Sequence, residues 1–259
     1  MQLKNLLFCL FILLFQITLN GCSKNIIKAS NKSDLKMVAS LNTELGFRYM
    51  QDGEFELSEK KLLKALEADP KNAEAHNAMG LLRSALGEVD VAERSFLRAI
   101  QLTGDSPAIA NNYGQFLCQQ GRYDKGINYL ISAAEDPLNT SRGAAHFNLG
   151  KCYKSSGQIK NAELHFKANL KYPSVNAEAL IELAHLKLLQ QEFFLAEHYL
   201  KKFARVADHT PFSLWVGYSI ASENRDLDSV DSFRLLLKGL FPDSTEFKKI
   251  SENDLQGHY

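Results

Sequence analysis

Residues 73–103 read AEAHNAMGLLRSALGEVDVAERSFLRAIQLT, and the reading of this stretch decides the fold. Two runs with apolar residues at helical spacing flank Leu86-Gly87-Glu88. Gly87 supplies a left-handed turn at low cost, as a sharp stop between two helices requires. Gly80 and Ala92 are small, so the two helices can approach closely where they meet. Phe96 fills the space beyond, towards the next pair of helices. Pro70 in front and Gly104 behind interrupt the chain. The stretch therefore predicts a helical hairpin. One hairpin cannot bury its apolar face alone, so it needs neighbours like itself.

The neighbours are present. A large apolar residue followed by a small one recurs at Leu45-Gly46, Met79-Gly80, Tyr113-Gly114, Leu149-Gly150, Leu183-Ala184 and Val216-Gly217. The small residues are spaced by 34, 34, 36, 34 and 33. The 36-residue spacing predicts two extra residues, most simply within 137–142. A repeat of this length, with small and large residues alternating through both helices, resembles the tetratricopeptide repeat (TPR). The resemblance covers about Met37 to Pro242. It implies an all-α, right-handed superhelical solenoid of about six helical hairpins. The last two repeats are weaker: Gln191 stands where a turn Gly is usual, and Ser229 where a small Ala is usual. Residues 243–259 are expected to form a polar C-terminal tail that frays after a short helix.

The N-terminus reads as an address. Lys4 precedes ten unbroken apolar residues, Leu6 to Phe15. Spanning a bilayer takes about 20 apolar residues, so this stretch has the form of an export signal instead. Leu19-Asn20-Gly21-Cys22 then resembles the lipobox of bacterial lipoproteins, with Asn20 in place of the commoner Ala or Ser. The resemblance implies removal of a signal peptide, residues 1–21, and lipidation of Cys22. Ser23, not Asp, follows, which implies the periplasmic face of the outer membrane. An ordinary signal or signal anchor with an incidental Cys is the alternative. Residues 22–36 are polar and are expected to be a flexible tether of about 20 Å r.m.s. span.

Composition and motifs exclude several functions. Lys and Arg total 30 and so do Asp and Glu, which leaves no net basic surface for nucleic acid. Two of the four Cys fall in the export signal, leaving Cys118 and Cys152. The two could pair in an oxidising compartment, but two small buried residues are the more economical reading. The seven His residues form no run with metal-ligand spacing. There is no phosphate loop and no nucleophile elbow. The chain is expected to be neither an enzyme nor dependent on a cofactor or small-molecule substrate.

Function is then expected in binding. In a TPR array the first helices of successive hairpins line a concave groove. The residue after each small residue, and those one turn away, give Phe47, Met50, Asn77, Leu81, Asn111 and Gln115 as the leading groove candidates. Lys154 and His185 fall in the same set further along. Phe47, Met50 and Leu81 make an apolar patch, unless the preceding tether covers Phe47 and Met50. Asn77 and Asn111 hold equivalent places and could grip a peptide backbone. This composition suits an amphipathic or extended segment as ligand.

A lipobox followed by about six TPRs resembles the type IV pilus biogenesis/stability protein family (PilF/PilW). The stretch from Asn111 to Gly121, reading NNYGQFLCQQG, and the ending LFPDSTEF at 240–247 carry that likeness. It implies a pilotin, which binds secretin subunits in the periplasm, takes them to the outer membrane through its lipid, and promotes their assembly into a ring. The first repeats would carry the secretin contact. A general periplasmic TPR adaptor for another envelope assembly, whether cell-wall or secretion, is the other reading.

Overall fold

The turns set the frame. Gly53, Gly87, Gly121 and Gly157 have φ between 73° and 78°, and Gln191 (φ 61°) and Arg225 (φ 58°) take the same conformation at the next two repeats. Each ends one helix and releases the chain into the next. The structure is a computed structural model that describes residues 20–104, 106–172 and 176–255. Among these residues it contains thirteen α-helices and no strand. The chain divides into two compact units, residues 1–109 and 110–259.

The first unit holds α1 (Asn20–Gln51), α2 (Phe55–Ala68), α3 (Ala73–Ala85) and α4 (Val89–Thr103). The pairs α1/α2 and α3/α4 are antiparallel hairpins closed at Gly53 and Gly87. A Cβ on Gly46 would lie 2.6 Å from Leu62, and one on Gly80 would lie 2.8 Å from Phe96. Only glycine permits these approaches. Ser58 supplies a second tie by donating its hydroxyl to the Gly46 carbonyl at 2.8 Å. Leu62, Ala78, Met79 and Leu82 form the core here, with Phe47, Met50, Phe55 and Leu66 packed against it. Asn72 caps α3 by accepting from the Ala75 amide.

Residues 22–36, expected to be a tether, are helical and continue into the first hairpin as one 32-residue helix. The polarity is as read, but no Pro or Gly interrupts the chain between Cys22 and Gly46, so nothing stops the helix. Residues 31–38 are all exposed, and Ala39 is the first buried position. One continuous helix does not fold back over its own end, so residues 22–36 do not cover Phe47 and Met50. Of the signal peptide expected over 1–21, residues 1–19 lie outside the described residues, as does the Cys22 side chain.

The second unit takes in α5 (Pro107–Gln119) from Ala110 onward, then α6 (Tyr123–Glu135), α7 (Arg142–Ser155), α8 (Ile159–Asn169), α9 (Ala177–Leu189), α10 (Phe193–Phe203), α11 (Pro211–Glu223), α12 (Leu227–Leu240) and α13 (Thr245–Leu255). The same contact recurs. Cβ atoms on Gly150 and Gly217 would fall 2.5 and 2.6 Å from Phe166 and Phe233. The two extra residues lie where the 36-residue spacing placed them, in the loop before α7. Asn139 donates to the Ala133 carbonyl at 2.6 Å, and Arg142 donates to the Ala134 carbonyl at 2.8 Å.

The tail carries the short helix expected of it. Residues Thr245–Leu255 form α13, and Ile250 is 1% exposed. It joins Leu214 and Leu237, with Phe241 and Phe247 packed alongside. These few apolar residues in a polar segment suffice to close the apolar end of the last hairpin, as terminal repeats must.

Candidate partner-binding surfaces

In the first unit the surface centres on hairpin α1/α2. Phe47 and Met50 lie one turn apart on α1, half-buried, with their inner sides on the Leu62–Leu82 core. Leu81 on α3 is also half-buried. Asn77, proposed from the sequence to grip a peptide, is 2% exposed and closed to a ligand. Outside this patch α1 exposes Met37 and Leu41, at 68% and 56%. Arg83 on α3 bridges Glu59 and Glu88, the latter at 3.0 Å, which ties the two hairpins.

Asn111 and Gln115 belong to the second unit. They meet a third amide, because Asn148 on α7 donates to Asn111 at 3.0 Å and lies 3.5 Å from Gln115. These side chains are half-buried and satisfy one another across α5 and α7. One turn further, Cys118 on α5 and Cys152 on α7 form a disulfide with their Cα atoms 5.5 Å apart. The expectation of two unpaired buried thiols is therefore overturned. The helices are staggered, so Cys118, four residues after Gly114, faces Cys152, two residues after Gly150. Gly126 on α6 makes room, since a Cβ there would stand 2.5 Å from the Cys118 sulfur.

Beyond the disulfide the polar chemistry changes. Lys154 donates to Glu182 at 2.6 Å, approaches His185 Nδ1 at 3.2 Å, and lies 5.7 Å from the centre of the Phe212 ring. His185 meets Phe212 and Trp215 edge-on, with ring centres 5.2 and 5.6 Å away. Phe212 and Trp215 stack at 5.9 Å. Burial, then the Lys154 charge, brings the His185 pKa down to about 4, so the imidazole is neutral at pH 7. The cluster joins first helices of three successive hairpins. Glu182, Phe212 and Trp215 were not among the sequence candidates.

Two further groups are structural. His146 and His165 approach at 3.1 Å between Nδ1 atoms, and burial lowers the pKa of both. Lys187 is 5% exposed and pairs with Glu163 at 2.9 Å and Glu192 at 3.0 Å. Burial pushes the Glu163 carboxyl up, but hydrogen bonds from Lys167, Lys187 and Gln190 outweigh it and hold its pKa at about 2. Among the described residues no three His, Cys, Asp or Glu side chains converge as metal ligands.

Residues 61–93 match a tetratricopeptide repeat family. The chain is 29% identical, over 92% of its length and 95% of the relative's, to the type IV pilus assembly protein PilF of Pseudomonas aeruginosa. A solved structure of P. aeruginosa PilF superposes with a TM-score of 0.75 at 28% identity, covering 85% of this chain and 99% of that one. The structure of PilW, described as a widely conserved type IV pilus biogenesis factor, gives 0.76 at 30% identity, covering 82% and 98%. These matches run through the array, far beyond a single shared repeat. The chain belongs to the PilF/PilW family of TPR proteins of type IV pilus biogenesis.

Proposed function

We propose that the protein is a pilotin: an outer-membrane lipoprotein, anchored through acylated Cys22, that binds secretin subunits in the periplasm and promotes their localisation and multimerisation. The observation that carries the reading is the apolar patch of hairpin α1/α2. Phe47 and Met50 rest on the core yet keep part of their surface open, and residues 22–36 lead away from them. Apolar residues held rigidly at one-turn spacing suit the apolar face of a partner helix. The Cys118–Cys152 bridge supports an oxidising compartment, as the periplasm is. The lipobox-like Leu19-Asn20-Gly21-Cys22 supports the anchor. Several acyl chains hold stably where one would not.

The test is secretin co-purification and the level of heat-stable secretin multimers in the outer-membrane fraction. Phe47→Ser with Met50→Ser is expected to abolish co-purification and deplete multimers while the thermal melt stays cooperative. Both retained at wild-type levels would overturn the patch assignment. Cys22→Ala is expected to release the protein from the membrane. Its continued retention there would overturn lipid anchoring.

A further inference from the structure

A cavity of about 370 Å³ opens between the start of α9 and the loop leading from α10 into α11. Its volume falls in the range of about 300–1,000 Å³ usual for ligand pockets. Its walls are apolar: Ala177 and Ile181 from α9, Phe203 from α10, Ala207, and Phe212 from α11. Its remaining lining is acidic or neutral, from Glu178, Glu182, Asp208 and Thr210, and among the described residues no basic side chain lines it. Lys154 neutralises Glu182 from outside. Glu178 and Asp208 are exposed, and neither enters an ion pair among the described residues.

Apolar walls beneath a carboxylate rim fit one class of side chain. Lysine and arginine carry an apolar stem and a cationic head, and they bury the first while keeping the second at the surface. The Phe212 ring adds an aromatic face for the cation, as Lys154 already demonstrates on the same ring. A purely apolar anchor would gain nothing from the two exposed carboxylates, and an acidic one would be repelled by them.

We propose that this cavity is a second docking site, which takes a lysine or arginine from an extended basic segment of a protein partner. The site needs the array to bind a protein segment, but not that the partner be a secretin or that hairpin α1/α2 contact it. The neutral His185 imidazole adds no positive charge against the incoming cation.

The chain's single tryptophan, Trp215, stacks on Phe212 and reports on the site by its fluorescence. The probes are the peptide Ac-Ala-Leu-Arg-Leu-Ala-NH2 and its Arg→Glu counterpart, titrated into the full mature chain. The arginine peptide is expected to shift the Trp215 emission saturably, with an affinity that falls on raising salt from 50 to 500 mM. The glutamate peptide is expected to bind at least tenfold more weakly. Glu178→Gln with Asp208→Asn is expected to weaken the arginine peptide at least fivefold at an unchanged melting temperature. Equal binding of the two peptides, or a double variant that binds the arginine peptide as tightly as wild type, overturns the proposal. Neither result bears on secretin co-purification, so the two readings fail separately.

Discussion

Breaking the Cys118–Cys152 bridge gives a quantitative test. The two residues are 34 apart in sequence, and their Cα separation of 5.5 Å sits within the range an unstrained bridge spans. A loop of that length, closed in the unfolded chain, removes conformational entropy worth about 4 kcal/mol at 25 °C. The bridge also joins first helices of consecutive hairpins, so opening it loosens the contact on which stacking depends. The protein without residues 1–22 avoids interference from Cys22. Urea unfolding followed by helical circular dichroism, with and without reductant, is then compared with Cys118→Ala/Cys152→Ala. At a slope of about 2 kcal/mol/M, the loss corresponds to a midpoint lower by about 2 M in both reduced and substituted protein. Thiol titration of the denatured, unreduced chain is expected to find none. Two thiols would refute the pairing. A bridge that is present but leaves the midpoint unmoved by reduction would refute the loop-entropy argument.

Gly126→Ala is expected to destabilise by about 1–3 kcal/mol, because the new Cβ meets the Cys118 sulfur and the Gly114 carbonyl; a melt at or above wild type would show that the helices can separate freely there. Gln191→Gly is expected to stabilise by about 0.5–1 kcal/mol, the left-handed penalty of about 1–2 kcal/mol less the greater chain entropy of glycine. A lowered midpoint would count against that. Stability is expected to fall with acidification from pH 7 to 5. The His185 pKa is depressed in the folded state, so below about 6.5 the unfolded chain takes up a proton that the folded chain refuses until about pH 4. Solvent screening at this half-buried site leaves about 1 kcal/mol of loss at pH 5. His146, His165 and His209 are depressed as well and act in the same direction. A urea midpoint that is flat or rises between pH 7 and 5 would refute the sign.

The repeat was legible because its physics is local. A small residue must face a bulky one on the returning helix, and Gly80 facing Phe96 or Gly150 facing Phe166 writes that contact into sequence spacing. The turn conformation at Gln191 and Arg225 was legible only by counting from Gly157, since neither residue type favours it. The disulfide was hidden because it depends on stagger between hairpins, which a period of 34 does not specify. Phe47 and Met50 keep part of their surface open on α1, whereas Asn77 proved buried because polarity alone does not report depth. The cluster of Lys154, Glu182, His185, Phe212 and Trp215 spans three repeats, so no single repeat announces it. Residues 22–36 misled: polar composition argued for loose chain, but polarity without Pro or Gly permits helix. The short helix expected in the tail is present at Thr245–Leu255, and Phe247 with Ile250 docks it.

The covalent tie between α5 and α7 changes how the molecule carries a mechanical load. Tension applied between the N-terminus and a partner held near the C-terminus enters α5 at one end and leaves through the sulfur–sulfur bond into α7. The chain between Cys118 and Cys152, α6 included, lies off that line and is not stretched. About 115 Å of contour, 34 residues at about 3.4 Å each, is thereby withheld from extension. Hairpins three and four thus act as a stop against extension of the chain they enclose.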